Sequence, residues 1–367
     1  MLIGHFERLA PVCPACRAAG TETPLALAVV EAERGGDVEA GILACGGCGA
    51  EYPILDGLPV IVPDLPRYAG DNLFYLLARP EIPAAVAGLI GDATGPGTAF
   101  DAIRQHLSTY VWDHWGDHDP AEGRAGEDGD GRPGAVARAL AAGFDLLGPD
   151  LPDGPVLDLG CGTGRSVAEL AARTGRPVLG IDLSVPLARF ARGALLARRI
   201  AYDRRRVGLA YDRRRFAIGQ PGGLSWPEGA ADVWLCDLLA LPFRPGTFAL
   251  AAGLNVVDCL TDPRAGLAAI TAALAPGGGA VLCTPFDWSG NVTPHAAWLG
   301  GRSRGESEPE PALARLMAES GALHEVRTGE VPWHVRLHER ARVCYRAHLA
   351  VARRRADPER SPAQAPA

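Results

Sequence analysis

PVLDLGCGTG, residues 155–164, decides the fold. The apolar run Pro155–Leu159 reads as a buried strand, and Gly160, Gly162 and Gly164 read as a turn into the helical segment RSVAELAART. A dinucleotide fingerprint needs the order G-x-G-x-x-G. Counted from Gly160 the third glycine would fall on Arg165, and from Gly162 on Val167, so that fingerprint is excluded. What remains is a turn whose backbone comes close to a ligand, where any Cβ would collide.

The chain beyond the turn keeps the same rhythm. RPVLGIDLS is a second strand ending in Asp182, DVWLCDLLALPF a third with Asp237 at its end, and TFALAAGLNVVDCL a fourth with Asn255 past it. GLAAITAALAPGGGAVLCTPF reads as a helix, a turn and a fifth strand. Strands alternating with helices imply an α/β, doubly wound parallel sheet, with ligands at the carboxyl ends of its strands. Asp158, Gly160, Gly162, Asp182, Asp237 and Asn255 all fall at such ends. An acid after the second strand suits two ribose hydroxyls.

A G-x-G-x-G turn of this kind resembles that of class I, Rossmann-like methyltransferases that use S-adenosylmethionine (SAM). The resemblance implies a cofactor site on Asp158, Gly160, Cys161, Gly162 and Gly164, on Asp182 and Leu183, on Asp237 and Leu238, and on Asn255.

Bulk composition agrees with a soluble enzyme. The chain has 367 residues, 47% hydrophobic and 22% charged, enough for about two domains and a large core. No apolar run is long enough to span a bilayer, and no basic start followed by an apolar stretch marks a secretory signal, so a cytoplasmic protein is expected. A net charge of −7 argues against a general nucleic-acid binder.

Four of the nine cysteines form a pattern, Cys13-Pro-Ala-Cys16 and Cys45-Gly-Gly-Cys48. Two such knuckles supply four thiolates to one closed tetrahedral site, the structural type of zinc site, with no position left for substrate. Disulfides are not expected in a reducing compartment, and Cys161, Cys236, Cys259, Cys283 and Cys344 read as small buried residues. CPAC, CGGC and the following GAEYPILDGLPVIV resemble the small zinc-binding family that includes the activator subunit of tRNA and protein methyltransferases. The resemblance covers about residues 8–63 and implies a helper unit fused to its client.

The expected organisation is a zinc-ribbon-like domain over 1–63, a helical linker and capping segment over 64–115, a flexible acidic Gly-rich loop over 116–134, the methyltransferase domain over 135–352, and a disordered tail over 353–367. From about residue 105 to 351 the chain also resembles the C-terminal methyltransferase domain of the ovothiol-synthesis enzyme. NVVDCLTDPRAGL, TPFDWSGNVTPHAAWLGG and VPWHVRLHERARVCYRAHLAVA carry the likeness, with TYVWDHWG ahead of them. The zinc unit stands where that enzyme has a sulfoxide synthase, so the resemblance implies a class of acceptor, a histidine-like imidazole, rather than ovothiol itself. Under it Asp287 would orient a ring N–H or bind an α-ammonium, Arg336 would hold a carboxylate, and Tyr110, His114 and Trp288 would wall the ring. His295 and His334 are weaker candidates.

IAYDRRRVGLAYDRRRF, residues 200–216, repeats AYDRRR and reads as a solvated insertion between the second helix and third strand. It also keeps open an RNA methyltransferase, with Tyr and Arg stacking on bases. A natural-product or peptide-tailoring methyltransferase is a further alternative. The partner expected in each small-molecule case is the methyl acceptor.

Overall fold

The computed structural model describes residues 1–78, 82–122, 132–219, 223–305, 307–319 and 322–355. It opens with α1 (Ile3–Leu9), α2 (Pro14–Ala18) and four strands, β1 (Leu25–Arg34), β2 (Asp37–Cys45), β3 (Glu51–Leu55) and β4 (Leu58–Ile61). Helices α3 (Leu65–Leu77), α4 (Ala84–Thr94), α5 (Ala99–Trp115) and α6 (Ala135–Leu147) follow. Then come β5 (Val156–Leu159), α7 (Arg165–Thr174), β6 (Val178–Asp182), α8 (Val185–Ala197), β7 (Arg199–Val207), β8 (Ala210–Ala217) and β9 (Ala231–Cys236). The chain continues through β10 (Phe248–Leu254), α9 (Pro263–Ala273), β11 (Leu274–Thr284), α10 (Pro309–Glu319), β12 (Leu323–His338) and β13 (Ala341–Arg354).

The α/β fold read from the glycine turn is the fold observed. Strands β9, β6, β5, β10 and β11 run parallel, and β13 closes antiparallel on β11. Successive residues of the parallel strands serve opposite faces, as the period of two requires. Val156, Val178 and Val233 enter the core under α6, α7 and α8, whereas Leu157, Leu179 and Trp234 enter the core with α9 and α10. Both faces are covered, which is why these strands read as unbroken apolar runs. The crossover helices are locally specified too. Asp262 caps α9 by accepting from the N–H groups of Arg264 and Ala265, both at 3.0 Å, and Pro263 opens its first turn.

The boundary at residue 63 divides the sequence but not the sheet. Strand β4 pairs in parallel with β9, Val60 with Leu235 and Ile61 with Cys236, so the zinc-type unit extends the catalytic sheet. Among the described residues the sheet has 11 strands in the order β1-β2-β3-β4-β9-β6-β5-β10-β11-β13-β12. Pairing satisfies the β9 edge that would otherwise face water. Side chains fasten the same seam: Arg17 after the first knuckle donates to the carbonyls of Leu241, at 2.5 Å, and Phe243.

Three further expectations need adjusting. The segment expected as a loop from 116 begins as a 3-10 turn, Gly116–His118, and Asp119 is buried against Arg214 at 2.5 Å. Residues 123–131 of that loop and 356–367 of the expected tail lie outside the described residues, while Arg353 and Arg354 close β13. The arginine-rich insertion lies between α8 and β9 as expected, but it is the hairpin β7–β8 and it packs on the protein rather than standing in solvent. It docks on α5, where the Arg205 N–H donates to Ser108 Oγ at 2.7 Å. Its charges hold it there, because Arg204 pairs with Glu122, Arg213 with Asp203 and Arg214 with Asp119.

Candidate functional site

The carboxyl ends of β5, β6, β9 and β10 bring the expected cofactor residues together. Gly160 and Gly162 have φ of 65° and 54°, the left-handed region that suits glycine. A Cβ on Gly162 would lie 2.9 Å from His114 Cε1, and one on Gly160 the same distance from Val256 Cγ2. The turn thus has no room for side chains even before a ligand arrives. Gly164 carries the chain into α7, and Cys161 is buried, its thiol pushed well above the ordinary range by that burial.

The acids here bond inward. The Asp182 carboxylate accepts from the N–H of Gly162 at 2.9 Å and of Ser184 at 2.8 Å, and burial raises its pKa. Asp158 accepts from Ser166 Oγ at 2.5 Å and is raised to about 7 by burial. Asp237 accepts from the Leu239 N–H at 2.9 Å, with Leu238 buried beside it. Leu183 is exposed, and its carbonyl takes a hydrogen bond from Tyr68 on α3 at 2.8 Å. Asn255 sits at φ 54°, donates its N–H to the Cys283 carbonyl at 2.7 Å, and has a buried Oδ1 with no partner among the described residues. Acids at three strand ends, an orphaned amide oxygen and two glycines with no room for a Cβ fit an adenosyl cofactor such as SAM.

Tyr110 and His114 stand on this cofactor turn. Their rings lie 6.0 Å apart, and His114 packs on Gly162. Helix α5 is bolted in place: Trp115 Nε1 donates to the Thr163 carbonyl at 3.0 Å, and Arg165 donates to the His114 carbonyl at 2.8 Å and to both Asp117 oxygens. Burial, with the nearby Arg165 charge, lowers the His114 pKa to about 3, so its ring is neutral across the physiological range.

A second group of residues gathers past β10 and β11. Tyr345 Oη donates to Asp287 Oδ2 at 2.7 Å, and the Asp287 N–H donates to Asp258 Oδ2 at 2.8 Å. Asp258 is buried, its pKa raised by that burial, and its Oδ1 has no partner among the described residues. Thr293 Oγ1 ties the two loops by donating to the Leu260 carbonyl at 2.6 Å. Phe286 lies 5.8 Å from His348 in a stacked pair, and Trp288 stacks on Trp298 at 6.1 Å. The stretch 284–301 therefore sets aromatic faces beside Asp287, which rests on Asp258. His295 lies on its outer turn, edge-on to Trp298 at 4.9 Å. Asp258 and Tyr345 were not singled out by sequence, although both fall inside segments that carried the resemblance.

Arg336 does not join this group. In the β12–β13 ladder Trp333 pairs with Tyr345 and Arg336 with Arg342, which puts Tyr345 and Arg336 on opposite faces of the hairpin. Arg336 is buried beside Tyr202 and Arg204 of the basic hairpin, and His334 lies on its face of the strand.

At the N-terminus the sulfur atoms of Cys13, Cys16, Cys45 and Cys48 all lie within 4.8 Å of one another. The Cys13–Cys48 and Cys16–Cys45 separations are both 3.6 Å. Tetrahedral zinc with Zn–S bonds of about 2.3 Å needs sulfurs roughly 3.8 Å apart, so the thiolates fit that metal.

The sequence profile of a family described as methyltransferase domain matches residues 133–323. No curated protein matches the chain. Solved structures match at low identity. One, from work on conversion of a disulfide bond into a thioacetal group in echinomycin biosynthesis, is 19% identical, with 61% of this chain and 83% of that one covered and a TM-score of 0.40. A SAM-dependent methyltransferase of Methanosarcina mazei is 18% identical over 58% of this chain and 97% of that one, with a TM-score of 0.39. Phosphoethanolamine N-methyltransferase 2 of Haemonchus contortus, in complex with SAM, is 16% identical over 62% of this chain and 46% of that one, with a TM-score of 0.38. The chain thus spans less than half of that last protein. Among the described residues no helix is long and apolar enough to cross a membrane.

Proposed function

This chain belongs to the methyltransferase-domain family and is a SAM-dependent methyltransferase, and from that premise we propose that it methylates a ring nitrogen of a small histidine-like acceptor. The observation that carries the reading is Asp287, whose carboxylate accepts from Tyr345 and whose N–H donates to the buried Asp258 carboxylate, beside the Phe286 and Trp288 rings at the end of β11. Bound SAM supplies an electrophilic methyl group. A neutral imidazole offers an unprotonated nitrogen at pH 7, its reference pKa being about 6.5. That nitrogen needs no base to attack, but its ring gains positive charge as the new N–C bond forms. Asp287 orients the opposite ring N–H toward itself and takes up that proton afterwards, while Tyr345 holds the receiving oxygen in place. Asp258, buried beneath, holds the Asp287 backbone in place by accepting from its N–H. Alignment by the aromatic walls supplies the rest. Incubation with methyl-labelled SAM and a panel of histidine and thiol-histidine derivatives tests this. Transfer to a ring nitrogen is expected, and no transfer to any member of the panel would remove the reading.

A second reading, tailoring of a larger apolar product, is favoured by one feature. A cavity of about 910 Å³ lies between α3, α5, α8 and the basic hairpin, lined by Phe74, Phe100, Leu107, Phe190 and Phe216. That volume suits a drug-sized ligand rather than one amino acid. Competition by hydrophobic peptides or aromatic polyketides for transfer to the histidine panel would decide between them. An RNA substrate has less support, since Arg204, Arg213 and Arg214 of the hairpin that suggested it are paired internally. The four-cysteine site we assign to structural zinc. Elemental analysis should give one zinc per chain, lost in Cys16→Ser.

A further inference from the structure

On the face of the β12–β13 hairpin away from Tyr345, Arg336 is 6% exposed and, among the described residues, has no hydrogen-bond or ion-pair partner. The groups facing it do not supply the missing charge. They are Tyr202 and Arg204 of β7, Arg342 of β13 and Glu122. Glu122 already accepts from Arg204 Nη1, and Arg204 also pairs with Asp212 at 3.6 Å. Neither carboxylate pairs with Arg336.

The neighbouring polar atoms are also unfilled. Tyr202 is 4% exposed and its Oη has no partner; Arg204 Nε is orphaned as well, and so is Nδ1 of His334, two residues before Arg336 on the same face of β12. The surrounding frame is fixed. The Glu339 N–H donates to the Arg206 carbonyl at 3.0 Å and Arg206 pairs with Glu339 at 3.3 Å, locking the hairpin tip to β7. Ser108 and Gln105 hold β7 to α5. A guanidinium with no partner among the described residues, beside the orphaned Tyr202 Oη, Arg204 Nε and His334 Nδ1, describes a site lacking its anion.

We propose that Arg336 and Tyr202 form an oxyanion-binding site, separate from the acceptor pocket, that takes the carboxylate or phosphate group of a small acidic ligand. A guanidinium offers a two-pronged edge and a phenol one O–H, the donors that such a group accepts from. The inference does not depend on which acceptor is methylated, because Arg336 and Asp287 lie on different faces of the ladder.

The test is thermal unfolding of the full chain in inorganic phosphate, in succinate and in sodium chloride at equal ionic strength. Wild type should be stabilised saturably by phosphate, by succinate or by both, as ligand linkage requires. A response to phosphate alone identifies a phosphate-bearing ligand, and one to succinate alone a carboxylate. Arg336→Met should abolish the response, and in chloride it should unfold no lower than wild type, since it removes a buried unpaired charge. Tyr202→Phe should weaken the half-saturating concentration about tenfold while leaving the chloride value unchanged. The proposal is overturned if neither anion stabilises wild type beyond chloride, or if Arg336→Met and Tyr202→Phe both respond like wild type. It is also overturned if Arg336→Met falls well below wild type in chloride, because the guanidinium would then be satisfied within the chain.

Discussion

The cofactor end and the acceptor end of this sheet are built from different materials. At the turn after β5 the main chain does the work: glycines in left-handed conformations, an Asp182 carboxylate held by two backbone N–H groups, and a helix α5 fixed through backbone carbonyls. Past β10 and β11 side chains dominate, with Tyr345 on Asp287 and aromatic rings stacked around them. A site made from backbone can be spoiled only where a Cβ or a changed φ intrudes. A site made from side chains can be retuned one residue at a time without moving the chain. The first design suits a ligand that never changes, the second a ligand that differs between relatives.

Substitutions should separate the two ends. The largest effect is expected from Asp287→Ala, which should lower kcat by about 10²–10³-fold while leaving the Kd for SAM within about twofold of wild type; calorimetric titration with SAM alongside turnover checks both. If SAM affinity falls in step with turnover, the ends are not separable. Gly162→Ala should do the reverse. Forcing a Cβ onto a left-handed residue costs roughly 1–2 kcal/mol before the contact with His114, so SAM binding should weaken by about 10–30-fold at an unchanged acceptor KM. Tyr345→Phe removes one hydrogen bond to the receiving carboxylate and should cost about tenfold in kcat, again with SAM affinity intact.

The smallest effect concerns the scaffold joining the ends. Asp113 on α5 accepts from Trp333 Nε1 of β12 at 2.9 Å, and burial raises its pKa to about 7. Its folded pKa lies above its unfolded one, so the folded protein binds more protons between about pH 4 and 7. Wild-type stability contributed by this group therefore falls as pH rises through that window and stays low above it. Asp113→Asn keeps the acceptor oxygen for Trp333 and removes the buried charge. It should gain about 1–3 kcal/mol at pH 8 and almost nothing at pH 4, measured by urea unfolding at both. A gain at pH 4 as large as at pH 8 would mean that charge is not the cause.

This contrast also governs what could be read from the sequence. The strands after Pro155, the acids at their ends and the glycine turn were legible because backbone geometry leaves a local signature: a period of two, a glycine where φ is positive. The knuckles were legible for a similar reason, a fixed spacing between ligands. Asp258 and Tyr345 left no such mark, since their meeting depends on two loops and a strand separated widely in the chain. The same holds for Arg336, whose pairing with Arg342 turns it away from Asp287. Arginines 204, 213 and 214 looked like a surface charge run because their partners, Glu122, Asp203 and Asp119, are invisible to any local window.

The pairing of Val60 with Leu235 has a consequence for synthesis. Strand β4 emerges from the ribosome early, whereas β9 is made only after most of the intervening chain. Parallel pairing over such a separation is slow to form, because a long loop must close before any contact rewards it. Until then the N-terminal sheet carries an unfinished border, the sort of edge that recruits foreign strands. Pro59 removes one donor from that border, and the brevity of β4 limits what remains. The metal-type knuckles at the far side of the same sheet can close at once, since all four cysteines lie within the first 48 residues. The knuckles can thus tie β2 to α2 before β9 has been made, although the core of this unit is completed only by Trp234 and Phe243.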